Sequence, residues 1–122
     1  MSDVAALQEL AGPNGGISVD RLSAVLRTTR ADIAGTLGLP RDAVSKSARA
    51  QAPRTQQRLR EMVEILNRVR PWFGGSMLMA YAWYRSQGLP GFGDRTAEAL
   101  VREGKAGAVR DYLEAVADGG YA

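Results

Sequence analysis

The chain has no cysteine and no histidine among its 122 residues. Each absence removes a class of function. Without cysteine there is no disulfide framework, thiolate nucleophile or iron–sulfur ligation, and without histidine the commonest zinc ligand, general base and pH switch are gone. Any catalysis would have to run on Ser, Lys, Tyr and carboxylates alone. A long apolar run is missing as well. The longest stretch free of charge, Pro71 to Tyr84, is 14 residues and holds two Gly and a Pro, whereas a membrane-spanning helix needs about 20 apolar residues. Asp3 stands where a secretory signal would place Lys or Arg, and the nearby apolar residues are scattered, so the expected setting is cytoplasmic. What is present, 45% apolar and 24% charged residues, is ordinary for a globular domain and outside the range of disordered chains. The length suits one modest domain or two very small ones sharing a core.

The net charge of +3 is unevenly placed. Residues 1–70 carry 11 basic and 7 acidic side chains, residues 71–122 carry 5 and 6, and between Arg41 and Arg60 the balance is 6 to 1. A local excess of that size fits either a phosphate-facing surface or a solvated, arginine-rich helix face.

Turn formers at Pro13-Asn14-Gly15-Gly16 make residues 1–17 an arm with at most one helical turn, at 4–10. Ser18 then caps a helix whose apolar positions Val19, Leu22, Val25 and Leu26 follow 3,4 spacing and which ends near Arg27. Thr29 with Asp32 reads as a capping-box variant, leading Ile33, Ala34 and Leu37 onto one face before Gly38 supplies a left-handed end. Pro40 opens the next helix, with Val44 its buried residue. A longer helix is predicted over 55–70, striped by Leu59, Met62, Val63, Leu66 and Val69 and stopped by Pro71. Ser76 opens a helix over 77–87 that is apolar nearly all round, which places it at the centre of the fold or beneath another chain. A Gly/Pro loop over 89–95, a short Thr96-capped helix to Glu103 and a last helix over 106–117 complete an all-α pattern with no strand signal.

The region from Thr29 to Lys46 has the layout of a DNA-reading helix-turn-helix. A small residue lets the two helices pack closely, a glycine makes the turn and an apolar residue follows it. Ala34, Gly38 and Leu39 fill those places, and the whole resembles the Xre/Cro class of regulators. In that arrangement Arg41, Ser45 and Lys46 face base edges, with Arg49 one turn further toward the backbone. Asp42 beside Arg41 and Gly35 inside the first helix depart from the pattern. The competing reading is a packing module that no longer reads DNA.

A second signal covers residues 71–122. Trp83-Tyr84-Arg85, Leu89-Pro-Gly-Phe92, the capped segment Thr96 to Gly104, Ala108-Val109 and Tyr112-Leu113 together resemble the toxin-binding domain of the Xre/MbcA/ParS antitoxins. The final Ala117-Asp-Gly-Gly-Tyr-Ala122 is similar to that family's C-terminal tail. Ala97 departs from a common Pro after the Thr. The resemblance spans residues 18–122 and implies an Xre/Cro-like helix-turn-helix unit packed on a small helical toxin-binding domain, with bounds of 1–17 for the arm, 18–70 and 71–122.

It also implies a type II antitoxin whose partner is a RES-domain, NAD-consuming toxin, and which is itself expected to be no enzyme and to hold no metal or cofactor. The tail residues Gly119, Gly120, Tyr121 and Ala122, with Asp118 at the junction, would enter the toxin's NAD pocket, while Phe92 and Tyr112 supply further toxin contact. Two glycines suit a threaded tail, Tyr121 an aromatic-sized pocket and the terminal carboxylate arginines meant for phosphate. Taken alone, Gly-Gly-Tyr-Ala suits a frayed terminus equally well. Operator DNA is the second expected partner, through autorepression. A homodimer through the helix at 77–84, and a larger toxin–antitoxin assembly, complete the expectation. The alternative is an Xre-type transcriptional regulator with no toxin; a structural or adaptor protein is a third option. Among lesser features, Met62, Met77 and Met79 read as core filler, Trp72 and Phe73 as closing the top of the bundle, Trp83 its middle, and Glu61 and Glu64 among Arg58, Arg60 and Arg68 as a salt-bridged solvent face.

Overall fold

A computed structural model describes residues 10–12, 15–45 and 47–119. The fold is all-α: among the described residues the only extended pairings are isolated bridges between Ala11 and Ile17 and between Gly88 and Thr96. Helix α1 covers Val19–Leu26 and begins at Ser18, whose side chain accepts from the Arg21 amide at 3.2 Å. It ends at Arg27, which holds a left-handed backbone (φ 53°). Helix α2 covers Arg30–Leu37. The Thr29 hydroxyl accepts from the Asp32 amide at 3.1 Å, but the Asp32 carboxylate accepts from the Thr28 hydroxyl at 2.8 Å. Thr28, one residue earlier, thus takes the carboxylate that a capping box would turn back to the cap.

After left-handed Gly38, short helices α3 (Asp42–Ser45) and α4 (Ser47–Ala50) flank residue 46. The long helix α5, Pro53–Val69, begins two residues earlier than its apolar stripe suggested, because Pro53 suits a first turn that needs no amide donor. Pro71 does not stop the chain outright. It sits inside a 3₁₀ turn over Arg70–Phe73, where a missing amide donor is tolerated, and the break comes at left-handed Gly74. Helices α6 (Met77–Ser86), α7 (Ala97–Arg102) and α8 (Ala106–Ala117) follow. The first two start on the side chains of Ser76 and Thr96, which accept from the Met79 and Ala99 amides.

One core runs from Leu10 to Leu113. Helix α5 lies through it, with Leu59, Met62, Val63, Ile65, Leu66 and Val69 all fully buried. Around it α6 packs on α1 and α5, α7 on α2, α5 and α6, and α8 on α5 and α7. Polar ties cross between the early and late helices. The Thr36 and Tyr81 hydroxyls are 2.9 Å apart, and Arg102 donates to the Gly35 carbonyl at 2.7 Å and 3.1 Å. Buried Gln56 holds the entry to α1, receiving the Ile17 amide at 2.8 Å and donating to the Ile17 and Ala50 carbonyls. No described helix is long and apolar enough to cross a membrane.

Several packing expectations are corrected. Met62 and Met77 are core residues, but Met79 is 53% exposed and Trp72 47%. The inward face of α6 is Met77, Ala80, Tyr81 and Tyr84, a 3,4,7 spacing that turns position 79 outward. Trp72 does not close the bundle. It lies edge-on against half-buried Trp83, ring centroids 5.6 Å apart, and Phe73 is half-buried. Glu64 pairs across to α8, where Arg110 grips both carboxylate oxygens at 2.9–3.0 Å. That forked bond raises the Arg110 pKa further above its ordinary value. Arg58 likewise reaches across, donating to the Val101 carbonyl.

Candidate interaction surfaces

Two groups of singled-out residues are placed by different means. In the first, close packing of α2 and α3 depends on Ala34 and Val44, both fully buried, with Ile33 and Leu37 beneath them. Arg30 fixes α3 from outside its own sequence: its guanidinium donates to the Val44 carbonyl at 2.6 Å and pairs with Asp20 at 2.7 Å. On that support Arg41, Ser45 and Arg49 are all exposed. Asp42 sits among them, its carboxylate 3.9 Å from the Arg49 guanidinium and its carbonyl accepting from the Ser45 hydroxyl at 3.1 Å. The acid that departs from the sequence pattern therefore draws Arg49 toward α3. Lys46 lies outside the described residues. Arg54, exposed in the first turn of α5, belongs to the same run of basic side chains. Its place as the second residue of a helix could have been read from Pro53 at the helix start.

The second group surrounds the start of α7 and the end of α8. Left-handed Gly91, Gly93 and Asp94 turn the loop sharply, and backbone hydrogen bonds from the Leu89 amide to the Arg95 carbonyl and from the Arg95 amide to the Phe92 carbonyl close it. Gly88 is required at its base, since a Cβ there would stand 2.8 Å from the Asp94 carbonyl oxygen. Leu89 is fully buried and anchors the loop, leaving Phe92 half-buried against Tyr112 of α8 with ring centroids 6.3 Å apart and planes at 85°. That edge-to-face geometry is the favoured one for aromatic pairs. From Tyr112 the helix continues about 9 Å to Asp118, at 1.5 Å per residue. Asp118 and left-handed Gly119 are exposed, their amides bonded back to Glu114 and Val116. Gly120, Tyr121 and Ala122 lie outside the described residues.

A third surface lies on and beside the outward side of α6, the helix whose all-round apolar character suggests cover by another chain, although which of its residues face outward was not read from the sequence. Among the described residues, Trp72, Leu78 and Met79 are the exposed large apolar side chains. The helical spacing of the α6 core face was the signal that could have found Leu78 and Met79, because residues at 77, 80, 81 and 84 leave 78, 79 and 82 facing outward.

Inside the same half, the Tyr84 hydroxyl is fully buried and without a hydrogen-bond partner. Burial, and next the nearby Glu98 carboxylate, push its pKa far above the ordinary tyrosine range. No group of described residues could hold a metal ion. No protein-family model matches this chain, and neither a curated protein nor a solved structure matches it.

Proposed function

We propose that the chain is an antitoxin of the Xre/MbcA/ParS type, which occludes the NAD pocket of a RES-domain toxin with its C-terminal tail and represses its own operon through the α2–α3 unit. The observation that supports this reading best is the placing of Phe92 and Tyr112. Residues from a loop and from a helix meet as an aromatic pair on the element that leads directly into the tail, so one surface and one tail can engage a single partner. The exposed Arg41 and Arg49 on a turn held by Arg30 support the second activity. They equally favour a transcriptional regulator with no toxin, which is the competing reading.

Deleting residues 119–122 tests the proposal. The last helix ends at Ala117 and Gly119 is exposed, so the fold should persist, and the complex with a coexpressed RES-domain toxin should still form through Phe92 and Tyr112. NAD should nevertheless fall in those cells. Full protection of NAD by the truncated chain would overturn occlusion. Failure of the full chain to copurify with a RES-domain protein from its own operon, while still binding its promoter, would favour the regulator.

A further inference from the structure

A groove between α1 and α6 belongs neither to the α2–α3 unit nor to the Phe92–Tyr112 surface. It has two lobes, of about 350 Å³ and about 560 Å³, whose walls share Arg27 and Leu78. Its apolar lining includes Val25 at one end, Leu78 in the middle and Met79 with Ala82 at the other. Leu78 is 39% exposed and its neighbour Met79 53%, an apolar strip on the outward side of α6 of the sort that marks an interaction site in a small protein.

The charge around that strip identifies its occupant. Arg27, Arg70 and Arg85 line the groove, and among the described residues the one carboxylate in its walls is Glu98. Glu98 is already shared, 3.2 Å from Arg85 and 3.6 Å from Arg102. The central arginine is also held at a conformational cost. Arg27 keeps a left-handed backbone (φ 53°) that glycine would adopt without strain, and glycine there would remove the charge from the middle of the groove. A second copy docked here about a two-fold axis would set one arginine rim against another, which disfavours the self-association expected from the apolar character of α6 alone.

We propose that this groove docks an acidic amphipathic helix of a partner protein, its apolar stripe on Leu78 and Met79 and its carboxylates on Arg27, Arg70 and Arg85. With 10 residues, α6 offers a floor about 15 Å long, enough for two to three turns of a docked helix. The proposal rests on neither the tail nor the α2–α3 unit.

The probe is a fluorescein-labelled peptide of about 16 residues, with Leu at 3,4 spacing and Glu on the flanking positions, paired with a counterpart in which every Glu is Lys. Fluorescence anisotropy with the full chain should show the Glu peptide binding at least about tenfold tighter than the Lys peptide, with affinity falling as salt rises. Leu78→Glu, and separately Arg27→Glu with Arg70→Glu, should each weaken it by about tenfold or more with unchanged circular dichroism. Equal binding of the two peptides, or no binding of either, overturns the proposal. So does sedimentation of the full chain as a dimer that Leu78→Glu converts to a monomer, which would make a second copy the occupant.

Discussion

Exposed residues around α3 and α4 are short-range and charged, Arg41, Asp42 and Arg49, whereas those beside and on α6 are Trp72, Leu78 and Met79. Both surfaces stand on the same core. In the first region the guanidinium of Arg30 and the buried side chains Ala34 and Val44 complete the packing, so the outward charges are free to remain hydrated. In the second, one face of a 10-residue helix fills the core and the other is left apolar in water. A hydrated arginine on a helix costs the isolated chain little, but an uncovered leucine and methionine do not improve its stability or solubility. Under the two proposals above, the first region meets a phosphate backbone by charge alone, and the second meets an acidic helix that must also offer apolar surface.

That contrast assumes that both regions report on one cooperative unit, and the largest predicted effect tests it. Leu37 is fully buried at the end of α2, and Leu37→Ala should destabilise the chain by about 3 kcal/mol. Both tryptophans, Trp72 and Trp83, lie in the other half. With one core, the loss should shift the tryptophan-fluorescence midpoint in urea as much as the far-ultraviolet circular dichroism midpoint. Two separated midpoints would divide the chain into independent halves and dissolve the comparison.

How far the sequence foresaw these surfaces depends on which interactions are local. Caps were readable because an N-cap oxygen and its amide lie three residues apart: Ser18, Thr29, Ser76 and Thr96 all accept as expected. The all-α class, the left-handed Gly38 and the bounds of α8 follow from equally short-range patterns. Cross-chain partners were not readable. Arg110 takes Glu64 away from the expected helix-surface pairing, Arg30 reaches Val44, and Trp72 leaves the core for the edge of Trp83, each across a gap that periodicity does not encode. Of the proposed site, the pairing of Phe92 with Tyr112 is a tertiary fact. Their belonging to one surface was suggested only by the family resemblance.

Tyr84 sharpens the comparison from inside α6. Its buried hydroxyl has no partner among the described residues, whereas that of Tyr81 on the same face is paired with Thr36, so Tyr84→Phe should stabilise the chain by about 1 kcal/mol. The pH dependence has a definite sign. Because the folded pKa is raised well above the ordinary 10.0, the folded state keeps a proton that the unfolded chain releases once pH exceeds that value. The unfolded state then binds fewer protons, and stability falls as pH rises through the alkaline range. Urea midpoints at pH 8 and above pH 10 should therefore show a widening advantage for Tyr84→Phe. A constant difference would mean that the hydroxyl titrates alike in both states.

The smallest effect separates stability from recognition in the charged region. Gly35 lies in the interior of α2, exposed, and a Cβ added there would meet nothing within 4 Å. Helix propensity alone then decides the outcome, and Gly35→Ala should raise stability by about 0.5–1 kcal/mol. The Arg102 contact survives the change, since it is made to the Gly35 carbonyl rather than to a side chain. Affinity for the promoter, measured beside the urea midpoint, should stay within about twofold of the parent if the exposed arginines beyond Gly38 carry the contact. A clear loss of affinity in a more stable protein would place Gly35 itself against the DNA backbone, as a position where only a residue without a side chain permits close approach.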